Sequence, residues 1–193
     1  IALKSRLFDK IVVSTDNLRK RNLLKKFNIE ISPRPKKISQ DKSTIEDVLR
    51  FENEKFKKQG IIFNEIWNLA PCSPLITSRE LIAASKILSK NHDKIVLPIT
   101  EYPVPIKWAF KKNIKGFLKP IFQNNYKLRS QDLSRCFYDT GNFVGIPISF
   151  FRKHKINFDK NYIGLYIPKI QAVDIDDIED WKIAEALYEK KKV

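Results

Sequence analysis

An α/β fold with a mainly parallel sheet is what this 193-residue sequence predicts, and three observations predict it. Short apolar, β-branched runs recur at Ile11-Val12-Val13, within Ile61 to Leu69, and at Ile95-Val96-Leu97. Such runs are too short for helices and lack the alternation of a half-exposed strand, so they read as strands buried on both faces. Helical stretches with capped starts lie between them. The resulting strand–helix alternation over the first hundred residues argues for parallel strands joined by helical crossovers. The length suits one domain, residues 1–193.

The elements follow in order. The first strand falls within Lys10 to Thr15. Asp16 or Asn17 caps the next helix, whose apolar side is Leu18, Leu23, Leu24 and Phe27. A short strand at Ile29-Glu30-Ile31 leads into the Pro33-Arg34-Pro35 loop. Ser43-Thr44-Ile45-Glu46 fits a capping box in which Ser43 and Glu46 satisfy each other's backbone donors, and it opens a helix carrying Ile45, Val48, Leu49 and Phe56. After Leu69, Pro71 and Pro74 break the chain. Thr77-Ser78-Arg79-Glu80 is a second capping box, for a helix bearing Leu81, Ile82, Ile87 and Leu88. Beyond Glu101 the pattern changes. Pro103, Pro105 and Pro120 among Tyr102, Trp108, Phe110 and Phe117 predict an irregular or antiparallel excursion over about residues 101–128. Sheet pattern resumes at Phe143 to Phe150 and at Val173, and Ile178 to Lys190 reads as a final helix with Trp181, Ala184, Leu187 and Tyr188 on one side.

Composition narrows the function classes. No apolar run approaches the ~20 residues of a membrane span, and Ile1 to Arg6 lacks the apolar core of a signal peptide. Two cysteines, Cys72 and Cys136, make neither a disulfide framework nor a metal-binding pair, which fits a reducing, cytoplasmic setting. The net charge of +15 raises nucleic acid as a partner, yet the basic residues are spread rather than clustered, as on a solvated surface. A basic nucleic-acid-binding module without catalysis is therefore the alternative of another class, and it ranks below an enzyme.

Asp174-Ile175-Asp176 carries the sharpest chemical signal. On a strand, alternate side chains share a face roughly 6–7 Å apart. Two carboxylates so placed repel unless a cation lies between them, and hard oxygen ligands suit Mg²⁺, which is commonly held by one or two carboxylates plus substrate phosphates. The competing reading makes Asp176 and Asp177 caps of the last helix. In α/β sheets ligands bind beyond the C-terminal ends of strands, so Asp16, Pro71 to Ser73, Glu101 and the aspartate triplet are the positions to inspect. Arg129 in Arg129-Ser130-Gln131-Asp132-Leu133 offers a forked donor for a carboxylate. Tyr138-Asp139-Thr140-Gly141-Asn142 is a turn dense in hydrogen-bonding groups. His92 and His154 have no partners that suggest catalysis, and Cys72 has no base near it in sequence.

Five stretches in one order give this sequence a resemblance. They are Leu7 to Asp16; Arg34-Pro35 with Asp41; Pro98-Ile99-Thr100-Glu101-Tyr102-Pro103-Val104-Pro105-Ile106; Arg129 to Leu133 with Tyr138-Asp139-Thr140-Gly141; and Val173-Asp174-Ile175-Asp176 with Glu179-Asp180-Trp181. Together they resemble the CMP-nonulosonate synthetases (acylneuraminate cytidylyltransferases), with the third and fourth stretches closest to the pseudaminic acid branch. The resemblance implies a Rossmann-like nucleotidyltransferase fold with a small dimerisation excursion at about residues 101–128, and a homodimer. It implies transfer of CMP from CTP to the anomeric hydroxyl of a nonulosonic acid, pseudaminic acid in first place and sialic or legionaminic acid as alternatives, with release of pyrophosphate for surface glycan synthesis. No nucleic acid and no membrane take part. The cofactor implied is Mg²⁺, with Asp174 and Asp176 as metal ligands and catalytic residues. Arg129, Gln131, Asp139, Gly141 and Asn142 fall at the sugar, and Arg34, Ser43 and Thr44 at the nucleotide. The family's first strand and Gly-rich phosphate loop have no counterpart among the five glycines here, so this chain by itself is expected to turn over little or no CTP.

Overall fold

A computed structural model describes the protein at every residue except 18, 20, 25, 26, 28, 41, 153–160 and 191–193. Leu18, Asp41 and His154 therefore lie outside the described residues. The elements are α1 (Ala2–Ser5), β1 (Val12–Thr15), α2 (Arg21–Leu24), β2 (Glu30–Pro33), α3 (Ile45–Lys58), β3 (Glu65–Leu69), α4 (Ser78–Leu88), β4 (Ile95–Glu101), β5 (Phe110–Lys112), β6 (Leu118–Pro120), β7 (Phe137–Asp139), β8 (Phe143–Pro147), β9 (Tyr162–Tyr166) and α5 (Ile178–Lys190). Among the described residues no helix is long and apolar enough to cross a membrane.

The α/β class holds, and the expectation of a mainly parallel sheet is corrected. β1 pairs β2 in parallel, and β4 pairs β9 in parallel. The pairings of β3 with β8, β8 with β4, β7 with β4, and β5 with β6 are all antiparallel. β3 and β4 run in the same direction, as the early strand–helix alternation requires, but β8 returns from the second half of the chain and wedges between them. Its short Gly145 makes this close fit workable: a Cβ there would stand 2.8 Å from the Trp67 ring.

Successive residues of the strands pack on opposite faces. Val96, Phe143 and Trp67 join Leu81, Ala84 and Leu88 of α4 in one cluster. Ile95, Val144 and Ile66 join Leu49 of α3 in the other, with Ile146 and Phe150. The sheet is thus sandwiched between α4 and α3. Thr77 and Glu80 form the expected capping box at the start of α4. At α3 the box is displaced by one residue: Thr44, in extended backbone, caps with Asp47 as its partner. Ser43 instead accepts from the Gln40 N–H, and Glu46 pairs with Arg50 at 2.6 Å.

Three further expectations are corrected. The helix after Asp16 is only Arg21–Leu24, and Leu23 and Phe27 are exposed rather than forming a buried side. Of the expected side of α5 only Ala184 is buried, while Trp181 and Tyr188 reach solvent. No strand forms at Val173: the last strand is β9, and Pro168 with the 3-10 turn Lys169–Gln171 ends regular pairing before the aspartates. Over about residues 101–128 the chain leaves the sheet as the antiparallel β5–β6 hairpin.

Candidate active site

Register builds one half of the site. On β4, Val96 faces Gly145 and Ile99 faces Asp139. The three steps from Val96 to Ile99 therefore oppose six from Asp139 to Gly145, and β7 and β8 form one interrupted strand whose surplus, Thr140-Gly141-Asn142, bulges at the C-terminal end of β3. The Ala70 N–H bonds the Asn142 carbonyl at 2.9 Å, and the Thr140 N–H bonds the Pro98 carbonyl at 3.1 Å. Asp139 accepts from the Gly141 N–H at 2.9 Å, an Asx turn. Gly141 has φ +71°, a conformation that disfavours a Cβ. A Cβ there would also stand 3.1 Å from Asp174 Oδ2, so the Asp174 carboxylate rests on bare backbone.

Asp139 and Asp174 are consequently neighbours. Partial burial pushes the Asp139 carboxyl above its usual value; the Gly141 N–H opposes that rise, and the Asp174 charge adds to it. Beside them Asn142 is buried, its Oδ1 accepting from the Thr140 hydroxyl while its Nδ2 lacks a partner among the described residues. Ser73 Oγ after β3 and Thr100 Oγ1 on β4 are likewise buried and unpaired. A repelling carboxylate pair is a setting that a hard divalent cation would relieve, and its oxygen donors fit Mg²⁺. Among the described residues no three acidic, His or Cys side chains converge as a ready-made cage.

The other sequence-predicted aspartates divide by use. Asp177 Oδ1 accepts from the Glu179 and Asp180 N–H groups and caps α5, and Asp180 Oδ2 accepts from the N–H groups of Asp176 and Asp177. The side chain of Asp176 takes part in no hydrogen bond among the described residues and is exposed.

The second half of the site is a cavity of about 200 Å³ that brings together Arg34, Ser43 and Thr44, with Ser39, Gln40 and Asn68. Arg34 follows β2; its Nη2 donates to the Ser14 carbonyl at 2.8 Å, which fixes the guanidinium against β1. α3 points its N-terminus at this space. A larger cleft, about 560 Å³, lies on the β5–β6 hairpin around Lys111, Lys119 and Phe122 and holds none of the predicted site residues.

Arg129 and Gln131 do not line the cavity of Arg34. Arg129 is clasped by Asp132, Nε to Oδ2 at 2.9 Å, and Gln131 is exposed in the same 3-10 turn. No hydrogen bond or ion pair among the described residues links this turn to Asp139 or Asp174. Sequence reasoning missed Asn68, Gln40 and the anchoring role of Ser14. Asn68 carried a signal: it is the one amide in the strand Ile66-Trp67-Asn68-Leu69.

Comparison with known proteins agrees with this geometry. The chain is 27% identical over 188 residues to the pseudaminic acid cytidylyltransferase of Campylobacter jejuni, covering 97% of this chain and 81% of that protein. It is 23% identical over 192 residues to a Helicobacter pylori protein named pseudaminic acid cytidylyltransferase and UDP-2,4-diacetamido-2,4,6-trideoxy-beta-L-altropyranose hydrolase, covering 96% of this chain and 36% of that one. A solved structure of CMP:2-keto-3-deoxy-manno-octonic acid synthetase complexed with CTP has the same fold, with a TM-score of 0.66 at 12% identity, over 98% of this chain and 85% of that chain. The cytidylyltransferase family model matches residues 1–172, and the protein accordingly belongs to the cytidylyltransferase family of nucleotidyltransferases.

Proposed function

We propose that the protein transfers CMP from CTP to the anomeric hydroxyl of a nonulosonic acid, pseudaminic acid first among them, in the cytoplasm and for surface glycan synthesis. The observation that carries the reading is the Asp139–Asp174 pair lodged at the bulge, two residues along β3 from the cavity of Arg34, Ser43 and Thr44. The similarity to two proteins named pseudaminic acid cytidylyltransferase supports the choice of sugar.

In this reading the cavity takes the cytidine, with the Arg34 guanidinium pre-oriented by Ser14 and the hydroxyls of Ser43 and Thr44 at its wall. Asp174 and Asp176 hold Mg²⁺, which when bound neutralises phosphate charge. The sugar hydroxyl attacks the α-phosphate; the new bond is sugar oxygen to phosphorus, and the bond to the β-phosphate breaks, releasing pyrophosphate. One of these two aspartates takes the hydroxyl proton. Arg129 and Gln131 receive the sugar, and Arg129 exchanges Asp132 for the sugar carboxylate, a like-for-like bidentate partner. The exposed Ile114, Phe117, Leu118 and Ile121 of the hairpin suit burial against a second copy, as a homodimer.

Titration calorimetry tests the reading. CTP and CMP-pseudaminic acid are expected to bind and to compete, with UTP and ATP at least about tenfold weaker. Equal affinity for all nucleotides, or no competition by the CMP-sugar, refutes it.

A further inference from the structure

Asn68 is a polar residue in a row that packing would fill with an apolar one. On β3 its side chain shares the α3 face with Ile66 and Ala70. Ile66, and Val144 directly opposite Asn68, both pack into the cluster of Leu49, Ile95, Ile146 and Phe150. Withdrawing an amide from water on that face costs free energy unless it is hydrogen-bonded. Asn68 is half-buried, and its amide makes no hydrogen bond among the described residues. It lines the cavity instead, and it is the one strand residue of the central sheet that does so.

Apart from the exposed side-chain amide of Gln40, the other polar groups of that wall are already engaged. The Thr44 hydroxyl bonds Asp47 Oδ2 at 2.9 Å and also accepts the Asp47 N–H; Ser43 Oγ accepts the Gln40 N–H at 3.1 Å; Arg34 is held on Ser14. The Asn68 amide is unspent. Its place on the ladder also matters. Two residues on, the Ala70 N–H bonds Asn142 beside the carboxylate pair. That step of roughly 6–7 Å along a strand is about the span of one ribose between a base and its phosphates.

We infer that Asn68 is a nucleobase-contacting residue. Its side-chain amide presents a donor and an acceptor in one plane, and it hydrogen-bonds the polar edge of the pyrimidine of CTP. The inference rests on the nucleotide reading of the cavity.

Calorimetric titration of Asn68→Ala and Asn68→Leu with CTP and with ribose 5-triphosphate, which keeps the phosphates and lacks the base, tests it. Leu is near Asn in size and matches its apolar neighbours, so it covers the case in which Ala leaves a damaging void. Both variants are expected to bind CTP roughly 3- to 10-fold more weakly, to bind ribose 5-triphosphate like the parent, and Asn68→Leu to melt no lower than the parent, because no hydrogen bond is lost. Unchanged CTP affinity overturns the inference. So does an equal loss for both ligands, which would put the contact on ribose or phosphate, and so does a lowered melting temperature of Asn68→Leu with the affinity loss. Failure of the parent protein to bind CTP refutes the nucleotide site itself and this inference with it.

Discussion

Gly141→Ala disturbs the acidic end of the site through a single added carbon. Gly141 has φ +71°, and its Cβ would stand 3.1 Å from Asp174 Oδ2 and 3.8 Å from its Cγ. The backbone term is about 1–2 kcal/mol, the cost of left-handed geometry for a residue with a Cβ. For a chain of this length that corresponds to a fall in melting temperature of about 2–8 °C. The contact term is a displacement rather than an energy: Asp174 is exposed and free to retreat, and must do so by a few tenths of an ångström. Gly116→Ala is the matched control, with φ +87° and nothing within 4 Å of its Cβ. Thermal unfolding and CTP titration with and without Mg²⁺ separate the terms. Both variants should lose similar stability, and only Gly141→Ala should lose the Mg²⁺-dependent part of CTP affinity, by roughly tenfold, as when the support of a metal ligand is disturbed. Intact Mg²⁺-linked binding in Gly141→Ala, or an equal loss in Gly116→Ala, would refute the assignment of Asp174 to the cation.

Asp139→Asn should raise the melting temperature at neutral pH, because the folded pKa is above its unfolded value: the stability this group contributes is present at low pH and lost as pH rises through the folded pKa. A gain that fails to shrink on acidification in a pH series of melting curves contradicts that sign. Arg34→Lys keeps the charge but loses the fork held on Ser14, and should weaken CTP binding about tenfold with little change in unfolding; calorimetry decides. Thr77→Ala removes the α4 capping box and should cost about 1 kcal/mol in denaturant titration. Burial alone would push Glu80 up, but the bonds it accepts from Thr77, from its own backbone N–H and from Gln171 together outweigh it and hold its pKa down. The stability from that cap is thus present at neutral pH and is lost as acid titrates Glu80 through its folded value. If the hairpin is the proposed dimer interface, Ile114→Asp with Phe117→Asp should halve the mass in light scattering behind size exclusion, and an unchanged mass argues against the hairpin as the interface.

The local half of the fold was legible in the sequence. Thr77 and Glu80 cap as their spacing demands, and the runs around Val12, Trp67 and Val96 are strands because nothing else buries such short apolar segments. The wedge of β8 between β3 and β4 was not legible, since a return strand and a parallel neighbour have the same apolar pattern, and only long-range pairing distinguishes them. The α3 cap slipped by one because Ser43-Thr44 followed by Glu46-Asp47 offers two boxes of equal spacing. Arg34, Ser43 and Thr44 do meet around one cavity, whereas Asn68 needed the register of β3 against β8 to reveal that its face opens there.

Five acids crowd the stretch from Asp174 to Asp180, and helix capping and cation binding compete for them on paper. Capping has geometric requirements that only some can meet: an oxygen must reach N–H groups two or three residues on. Asp177 meets them with bonds of 2.8 and 3.0 Å, and Asp180 returns the favour to Asp176 and Asp177. The helix end is then satisfied, and the acids before it have no backbone role left beyond the local bond from Ile175 to Asp174. Asp174 is nevertheless held against Gly141 and close enough to Asp139 to raise its pKa, an arrangement that costs free energy in the absence of a counter-charge. An acid that caps nothing and repels its neighbour is better explained by a ligand than by the fold, which is why we propose Asp174 and not Asp177 for the cation.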